Sequence, residues 1–135
     1  MQTATAVAQM RQERDKFRCA FLENWNAQDV DVVIGPCFVG PACAHESAFY
    51  WTYTSLWNFV DYPGVVFPTP IKAEVGEKYA ADYTPLSDDC KHVKQLWDKG
   101  NFEGAPITLQ LNARKYHDNQ LLGALALVKD VLGLP

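Results

Sequence analysis

Three short apolar runs separate four helical segments along this chain of 135 residues. The runs are "DVDVVIGP" (Asp29–Pro36), "YPGVVFPTP" (Tyr62–Pro70) and "PITLQL" (Pro106–Leu111). β-branched residues bounded by Gly and Pro are typical of strands, and the lack of clean alternation indicates strands that are covered on both faces. Strands that alternate with helices favour an α/β fold. We therefore predict the order α-β-α-β-α-β-α, with a short, mostly parallel or mixed sheet flanked by helices.

The first predicted helix runs from about Thr3 to Gln28, a stretch without Gly or Pro. Its large apolar residues recur at spacings that place them on one side of a helix. They are Val7, Met10, Phe17, Phe21 and Trp25. A second helix is predicted for Glu46–Val60, because this segment is rich in aromatic residues and also lacks Gly and Pro.

The two remaining helices are marked by residues at their ends. Ser87 is a good N-cap, acidic residues follow it in the first turn, and Gly100 suits the position after the last turn. The last helix is predicted from about Asp118 to Val131. Lys72–Pro85 is polar and contains Gly, so we expect it to lie away from the core.

Composition limits the classes of function. With 48% hydrophobic residues the chain can form a core, and its net charge of −4 argues against nucleic acid or an anionic membrane as a partner. No apolar run is long enough to cross a bilayer, and no signal peptide is visible. The four cysteines are irregularly spaced: Cys19, Cys37, Cys43 and Cys90. We expect free thiols and a cytoplasmic location.

Catalytic groups are scarce in the sequence. The serines are Ser47, Ser55 and Ser87, and none of them lies in a Gly-x-Ser-x-Gly elbow or a Gly-Ser-Ser-Gly loop. The acidic pairs Asp29/Asp31 and Asp88/Asp89 lack the apolar setting that acid–base catalysis requires. The residues alone therefore predict an α/β segment without a complete active site.

A metal site or a Cys-His nucleophile is the alternative that the residues leave open. Four soft ligands could hold zinc if two segments of the chain met in space. They are Cys43, His45, Cys90 and His92. The usual Cys-x-x-Cys spacing is absent, however, and the cysteines can serve as small apolar residues. We predict no metal site.

Three motifs in order resemble the C-terminal part of amidase-signature enzymes. They are "NAQDVDVVIGPCFVGPA", "YTSLWNFVDYPGVVFPTP" and "GAPITLQLNARKYHDNQLLGAL". The sequences "NFVDYPGVVFPTPIKA" and "FEGAPI" resemble those of the fungal acetamidase, or general amidase, branch of the family. The resemblance extends from about Arg11 to Leu132. It implies that residues 1–135 are the C-terminal segment of one amidase domain, with no separate second domain and with an incomplete sheet.

The resemblance also implies a reaction and a division of labour. Family members hydrolyse a carboxylic amide to an acid and ammonia without a metal or organic cofactor. They use a Ser, a second Ser across a cis peptide and a Lys, all in the N-terminal and central regions. This chain has no counterpart of these residues, so we assign no catalytic residue and expect the chain alone to be inactive. The substrate-pocket candidates carried over from the family are Tyr53, Thr54, Trp57 and Asn58.

Three hypotheses follow from the sequence. The chain is a segment of an amidase that meets a small amide only in the complete enzyme, a binding or assembly module derived from an amidase, or an unrelated zinc-stabilised α/β module. The incomplete sheet further predicts an exposed apolar edge near Trp51, Trp57 and Phe67 and self-association through that edge.

Overall fold

The computed structural model describes residues 2–134, which form four helices around a three-stranded sheet. The helices are α1 (Ala4–Ala27), α2 (Thr52–Val60), α3 (Asp88–Lys99) and α4 (Asp118–Leu132). The strands are β1 (Val32–Pro36), β2 (Gly64–Lys72) and β3 (Pro106–Ala113). The α/β class and the predicted order of elements are confirmed.

The direction of the strands corrects the sequence analysis. β3 lies between β1 and β2 and pairs antiparallel with both of them. β1 and β2 are therefore parallel to each other, as expected for strands joined through a helix, but they are not neighbours. The predicted parallel pairing is wrong because the alternation of helices and strands does not specify which strand enters between two others.

Strand β2 contains prolines away from its ends. Pro68 and Pro70 lie inside it, and the register shifts between Pro68 and Lys72. Proline cannot donate to the ladder, and it is tolerated here because β2 is an edge strand of this sheet. The Thr69 hydroxyl donates to the carbonyl oxygen of Ile107 at 2.8 Å and ties the irregular part of β2 to β3.

Helix α4 covers one face of the sheet. Phe67, Leu111, Ala113 and Leu121 form the buried core between them. Phe67 is only 4% exposed, so this side chain is not itself part of the exposed apolar edge that is predicted near it. A buried side chain of this size contributes about 1.5–3 kcal/mol. The apolar residues packed around this core are Val32, Val65, Leu109, Leu125, Val128 and Leu134.

Helix α1 packs on α2 through aromatic side chains near its C-terminal end. The Phe21 ring lies 6.2 Å from the Trp57 ring and 5.5 Å from the Tyr62 ring, and Trp25 is buried. The apolar residues predicted to line one side of α1 are more exposed toward its N-terminal end, where Met10 is 58% exposed. No helix within residues 2–134 combines the length and apolarity needed to cross a bilayer.

Helix α2 begins at Thr52, six residues later than predicted. Glu46 has a left-handed backbone with φ of 60°, which interrupts a helix at that point. The aromatic residues that follow are held by packing instead, since the Phe49 ring contacts the His92 ring at 4.4 Å. Aromatic content in this segment therefore did not indicate a helix before Thr52.

Candidate functional site

Helix α2 carries all four substrate-pocket candidates within two of its turns. Tyr53 and Trp57 are four residues apart, as are Thr54 and Asn58, so the four form two adjacent rows on the helix surface. The helix lies between the aromatic residues of α1 and the end of the sheet. The structure therefore places the four residues on one element but distributes their side chains over different surroundings.

The N-terminal pair of the four borders solvent. The Tyr53 side chain is 40% exposed, and its ring lies 5.9 Å from the ring of Tyr50. The Thr54 hydroxyl donates to the Trp51 carbonyl oxygen at 3.2 Å, so it is bound to its own helix end. Trp51 itself is 64% exposed. Tyr53 is thus the most accessible aromatic ring among the four candidates.

The C-terminal pair differs from the first. The half-buried Trp57 ring packs against α1, with its centroid 6.3 Å from that of Trp25. Asn58 is exposed, and its carbonyl oxygen accepts from the N–H of Asp61. Trp57 therefore contributes to the packing between α1 and α2.

The turn after α2 is fixed by a C-cap and an ion pair. Asp61 has a left-handed backbone, and the N–H of Tyr62 donates to the Trp57 carbonyl at 3.0 Å. Asp61 and Pro63 therefore lie in the turn that leads from α2 into β2. Lys115 donates to the Asp61 carboxylate at 2.5 Å. That hydrogen bond and the Lys115 charge lower the pKa of Asp61, and the same hydrogen bond raises the pKa of Lys115.

A basic concavity of about 400 Å³ opens beside this turn. Its cationic side chains are already engaged: Arg18 donates to the Phe59 carbonyl at 2.6 Å, and Arg114 donates to the Asn26 side chain at 2.9 Å. Lys115 is paired with Asp61. These contacts join α1, α2 and the end of β3, so the concavity is held together by its charged residues.

A separate, apolar crevice lies where residues 38–49 meet α3. It encloses about 30 Å³, and its lining includes Phe38, Pro41, Phe49, Trp97 and Phe102. The Trp97 and Phe102 rings are stacked with centroids 4.9 Å apart. None of the four pocket candidates lines this crevice or the basic concavity. The apolar crevice could not be predicted from the sequence because its walls come from segments that are distant along the chain.

Each of the three serine hydroxyls contacts backbone atoms nearby. Ser47 donates to the Ala44 carbonyl at 2.7 Å, and Ser55 donates to the Thr52 carbonyl at 3.5 Å. The Ser87 hydroxyl accepts from the N–H of Cys90 and caps α3 as predicted. These contacts are local and structural, and they do not include a general base.

The cysteines and histidines do not form a metal centre within residues 2–134. Burial raises the pKa of the Cys37 thiol, whereas the hydrogen bond with Ser87 lowers the pKa of Cys90. His92 packs on the Phe49 ring. The four cysteines are free.

Gln110 is a site residue to which the sequence analysis gave no role. Its side chain is buried in the centre of the sheet and donates to the carbonyl oxygens of Pro36 and Tyr53, each at 2.7 Å. The sequence signal was a glutamine inside the mainly apolar run "ITLQL". A polar side chain in a covered strand requires partners, and here they are the ends of β1 and α2.

Known amidases align with most of the chain. A protein of Schizosaccharomyces pombe that is named an amidase is 34% identical over 129 residues, which are 95% of this chain and 24% of that protein. An acetamidase of Aspergillus oryzae is 28% identical over 124 residues, or 87% of this chain and 23% of the acetamidase. The chain thus spans about a quarter of the length of these relatives.

The fold and a family model agree with these relatives. The structure superposes on a fatty acid amide hydrolase with a TM-score of 0.89 and 28% identity, covering 98% of this chain and 24% of that enzyme. The partial coverage confirms that the fold is one part of the amidase-signature fold. The model of the Amidase family matches residues 1–122. The chain therefore belongs to the Amidase family.

Proposed function

We propose that this chain is the C-terminal segment of an acetamidase-like hydrolase that converts a carboxylic amide to an acid and ammonia. The observation that carries the proposal is the match to the Amidase family over residues 1–122, on a chain that spans about a quarter of its relatives. The superposition over 98% of the chain supports the same conclusion for the fold. The substrate is a small amide, bound only by the complete enzyme.

We assign this segment a supporting role in catalysis. The Ser-Ser-Lys machinery that the family resemblance implies has no counterpart in the sequence. Ser47, Ser55 and Ser87 make local contacts with the backbone, which supports a chain that is inactive when it is alone. No metal or organic cofactor is part of the proposal.

Tyr53, Thr54, Trp57 and Asn58 form part of the substrate pocket wall in this proposal. Their common place on α2 supports it, as does the exposed ring of Tyr53. Trp57 acts on the pocket through the packing of α2 against α1. Tyr53 is therefore the residue of the four whose substitution we expect to change substrate affinity most.

The proposal also covers the partners and the cellular location of the protein. The negative net charge supports neither nucleic acid nor membrane as a partner, and the four free cysteines support a cytoplasmic location. The exposed apolar side chains on the sheet edges support self-association of the separate chain.

A non-catalytic binding or assembly module is the second candidate function. One observation favours it: Phe67, Leu111, Ala113 and Leu121 already form a core within this segment. A segment that closes its own core can persist as a separate protein. The two candidates differ in whether the segment completes an active amidase.

A chimera tests the proposal. The matching segment of the A. oryzae acetamidase is replaced by this chain, and ammonia release from acetamide is measured. We expect hydrolysis by the chimera, a raised KM with little change in kcat in Tyr53→Ala, and a smaller change in Tyr53→Phe. A folded but inactive chimera would favour the module.

The separate chain is the necessary control. It is incubated with acetamide and with larger simple amides, and ammonia release above buffer is not expected. Turnover that survives repurification and is lost on replacing Ser47, Ser55 or Ser87 by Ala would contradict the supporting role.

A further inference from the structure

Gln110 joins three segments of the chain through one side-chain amide. Its Nε2 atom donates to the carbonyl oxygen of Pro36, 74 residues away, and to that of Tyr53, 57 residues away. Both distances are 2.7 Å, and Gln110 is 5% exposed. The amide therefore connects β3 with the last residue of β1 and with the first turn of α2.

These two bonds satisfy both amide hydrogens in a place with little access to water. An amide buried without partners costs about 1–3 kcal/mol, so the amide is stable there only while both carbonyl groups stay within reach. The side chains next to Gln110 in β3 are Leu109 and Leu111, which lie on the opposite, α4-covered face. Gln110 thus points away from the main core and toward α2.

The backbone of α2 receives a side-chain bond near each end. Among the hydrogen bonds of residues 2–134, Arg18 donates to the Phe59 carbonyl near the C-terminal end, and Gln110 donates to the Tyr53 carbonyl near the N-terminal end. The bond at the C-terminal end lies on the surface, whereas the bond from Gln110 comes from the centre of the sheet. Gln110 therefore holds the N-terminal half of α2 against the sheet.

We propose that Gln110 is a positioning residue, which sets where the N-terminal half of α2 lies against the sheet and hence where the Tyr53 ring points. Its meaning for substrate binding rests on the pocket role given to Tyr53 above. The positioning itself does not depend on that role. Replacing Gln110 is then expected to loosen α2 while leaving α4, on the other face, in place.

The first test uses the unchanged chain. In NMR spectra the two Nε2 hydrogens of Gln110 should exchange slowly with solvent because both are bound and buried. Gln120 offers an internal reference, since its amide donates to the Asp31 carboxylate at 2.8 Å on the surface. Exchange of the Gln110 hydrogens as fast as that of the Gln120 hydrogens would overturn the proposal.

The second test uses three variants and the backbone amide exchange of α2 and α4. Gln110→Met keeps the length of the side chain without donors, Gln110→Glu keeps its size with at most one donor in place of two, and Gln120→Met is the matched control on the surface. We expect both Gln110 variants to raise exchange in α2 up to about tenfold, the effect of one hydrogen bond. Exchange in α4 should stay unchanged, and Gln120→Met should leave α2 unchanged.

The outcomes separate positioning from general stability and from the pocket role. An equal rise in α2 and α4, or no rise in α2, would contradict the proposal. If the variants do not fold, the side-chain exchange in the unchanged protein decides. A rise confined to α2 together with an inactive chimera would support the positioning role of Gln110 and count against the pocket role of Tyr53.

Discussion

The Oδ1 atom of Asn112 occupies the space that a Cβ atom on Gly64 would need. The two residues lie opposite each other in the β2–β3 pairing, on the sheet face that turns away from α4. Asn112 is 1% exposed, and neither atom of its amide has a hydrogen-bond partner among the described residues. Glycine at position 64 is therefore required by the asparagine across from it, and not by the backbone conformation.

This relationship predicts a coupled effect on stability. Gly64→Ala should destabilise the protein by about 1–3 kcal/mol, the usual cost of overpacking. In an Asn112→Ala background the same change should cost less, because the new methyl group then meets no amide. The free energies of unfolding of the four proteins in this cycle give the coupling, expected at about 1 kcal/mol or more.

A second glycine provides the control for this cycle. A Cβ atom on Gly35 in β1 would meet no atom within 4 Å, so Gly35→Ala should be neutral or slightly stabilising. If Gly64→Ala is equally well tolerated, the steric account is wrong.

The ion pair between Asp61 and Lys115 predicts a pH dependence at both ends of the scale. The pKa of Asp61 is lowered in the folded state, chiefly by the hydrogen bond from Lys115. Its contribution is therefore complete above the ordinary carboxyl pKa of about 3.9 and is lost as the pH falls through the lowered value. The pKa of Lys115 is raised. Its contribution is complete below the ordinary value of about 10.4 and is lost as the pH rises through the raised value.

Asp61→Asn tests this pH dependence. Asparagine tolerates the left-handed backbone of residue 61, so the change removes the charge with little backbone strain. We expect the stability difference between the two proteins to be flat near neutral pH and to shrink in acid and in strong base. Both groups are solvent-accessible, so 1 M NaCl should also shrink it. A carboxyl titration of Asp61 at an ordinary pKa would contradict the pairing.

The N-cap of α3 predicts a linked change in stability and thiol reactivity. Ser87→Ala removes the bond to the N–H of Cys90 and should cost about 1 kcal/mol. Because Ser87 also lowers the pKa of Cys90, alkylation of that thiol should require a higher pH in the variant. Mass spectrometry after timed alkylation follows Cys90 directly. Thr3→Ala, at the N-cap of α1, is the matched control and should leave the Cys90 profile unchanged.

Metal analysis addresses the zinc-stabilised alternative. Cys43, His45, Cys90 and His92 form no metal-binding group among the described residues. We expect no stoichiometric zinc in the purified protein and no change of the thermal midpoint with chelators. One zinc per chain, lost together with the fold, would restore that alternative.

The exposed apolar residues on the sheet edges predict self-association of the separate chain. Ile34 in β1 is 52% exposed, and Val66 and Ile71 in β2 are 57% and 66% exposed. Sedimentation at several concentrations should show association that Val66→Lys and Ile71→Lys reduce, since charge on an edge strand opposes pairing. Leu86, 93% exposed and outside the sheet, provides the control Leu86→Lys, which should have no effect. A monomer at every concentration would contradict association through the edges.

Residues close together in the sequence determined the elements of this fold. The Ser87 cap, the Gly and Pro that bound the strands, and the signals for α4 act over a few positions, so the order of elements could be predicted from them. The three motifs were also sufficient to identify the family, because they occur in the family's order and with similar residues over most of the chain. The six-residue error at α2 arose where aromatic residues are held by distant partners.

Contacts between distant residues required the tertiary structure. Only the structure showed that β3 enters between β1 and β2, that Phe67 is covered by α4, and that Gln110 reaches both Pro36 and Tyr53. The physical reason is that hydrophobic periodicity and capping residues depend on the conformational preferences of one segment. Which strands are neighbours, which side chains are buried and which form hydrogen bonds depend on the free energy of packing between segments. The sequence by itself determined which helices and strands form and to which family the chain belongs. The packing of those elements decided which side chains are available for function.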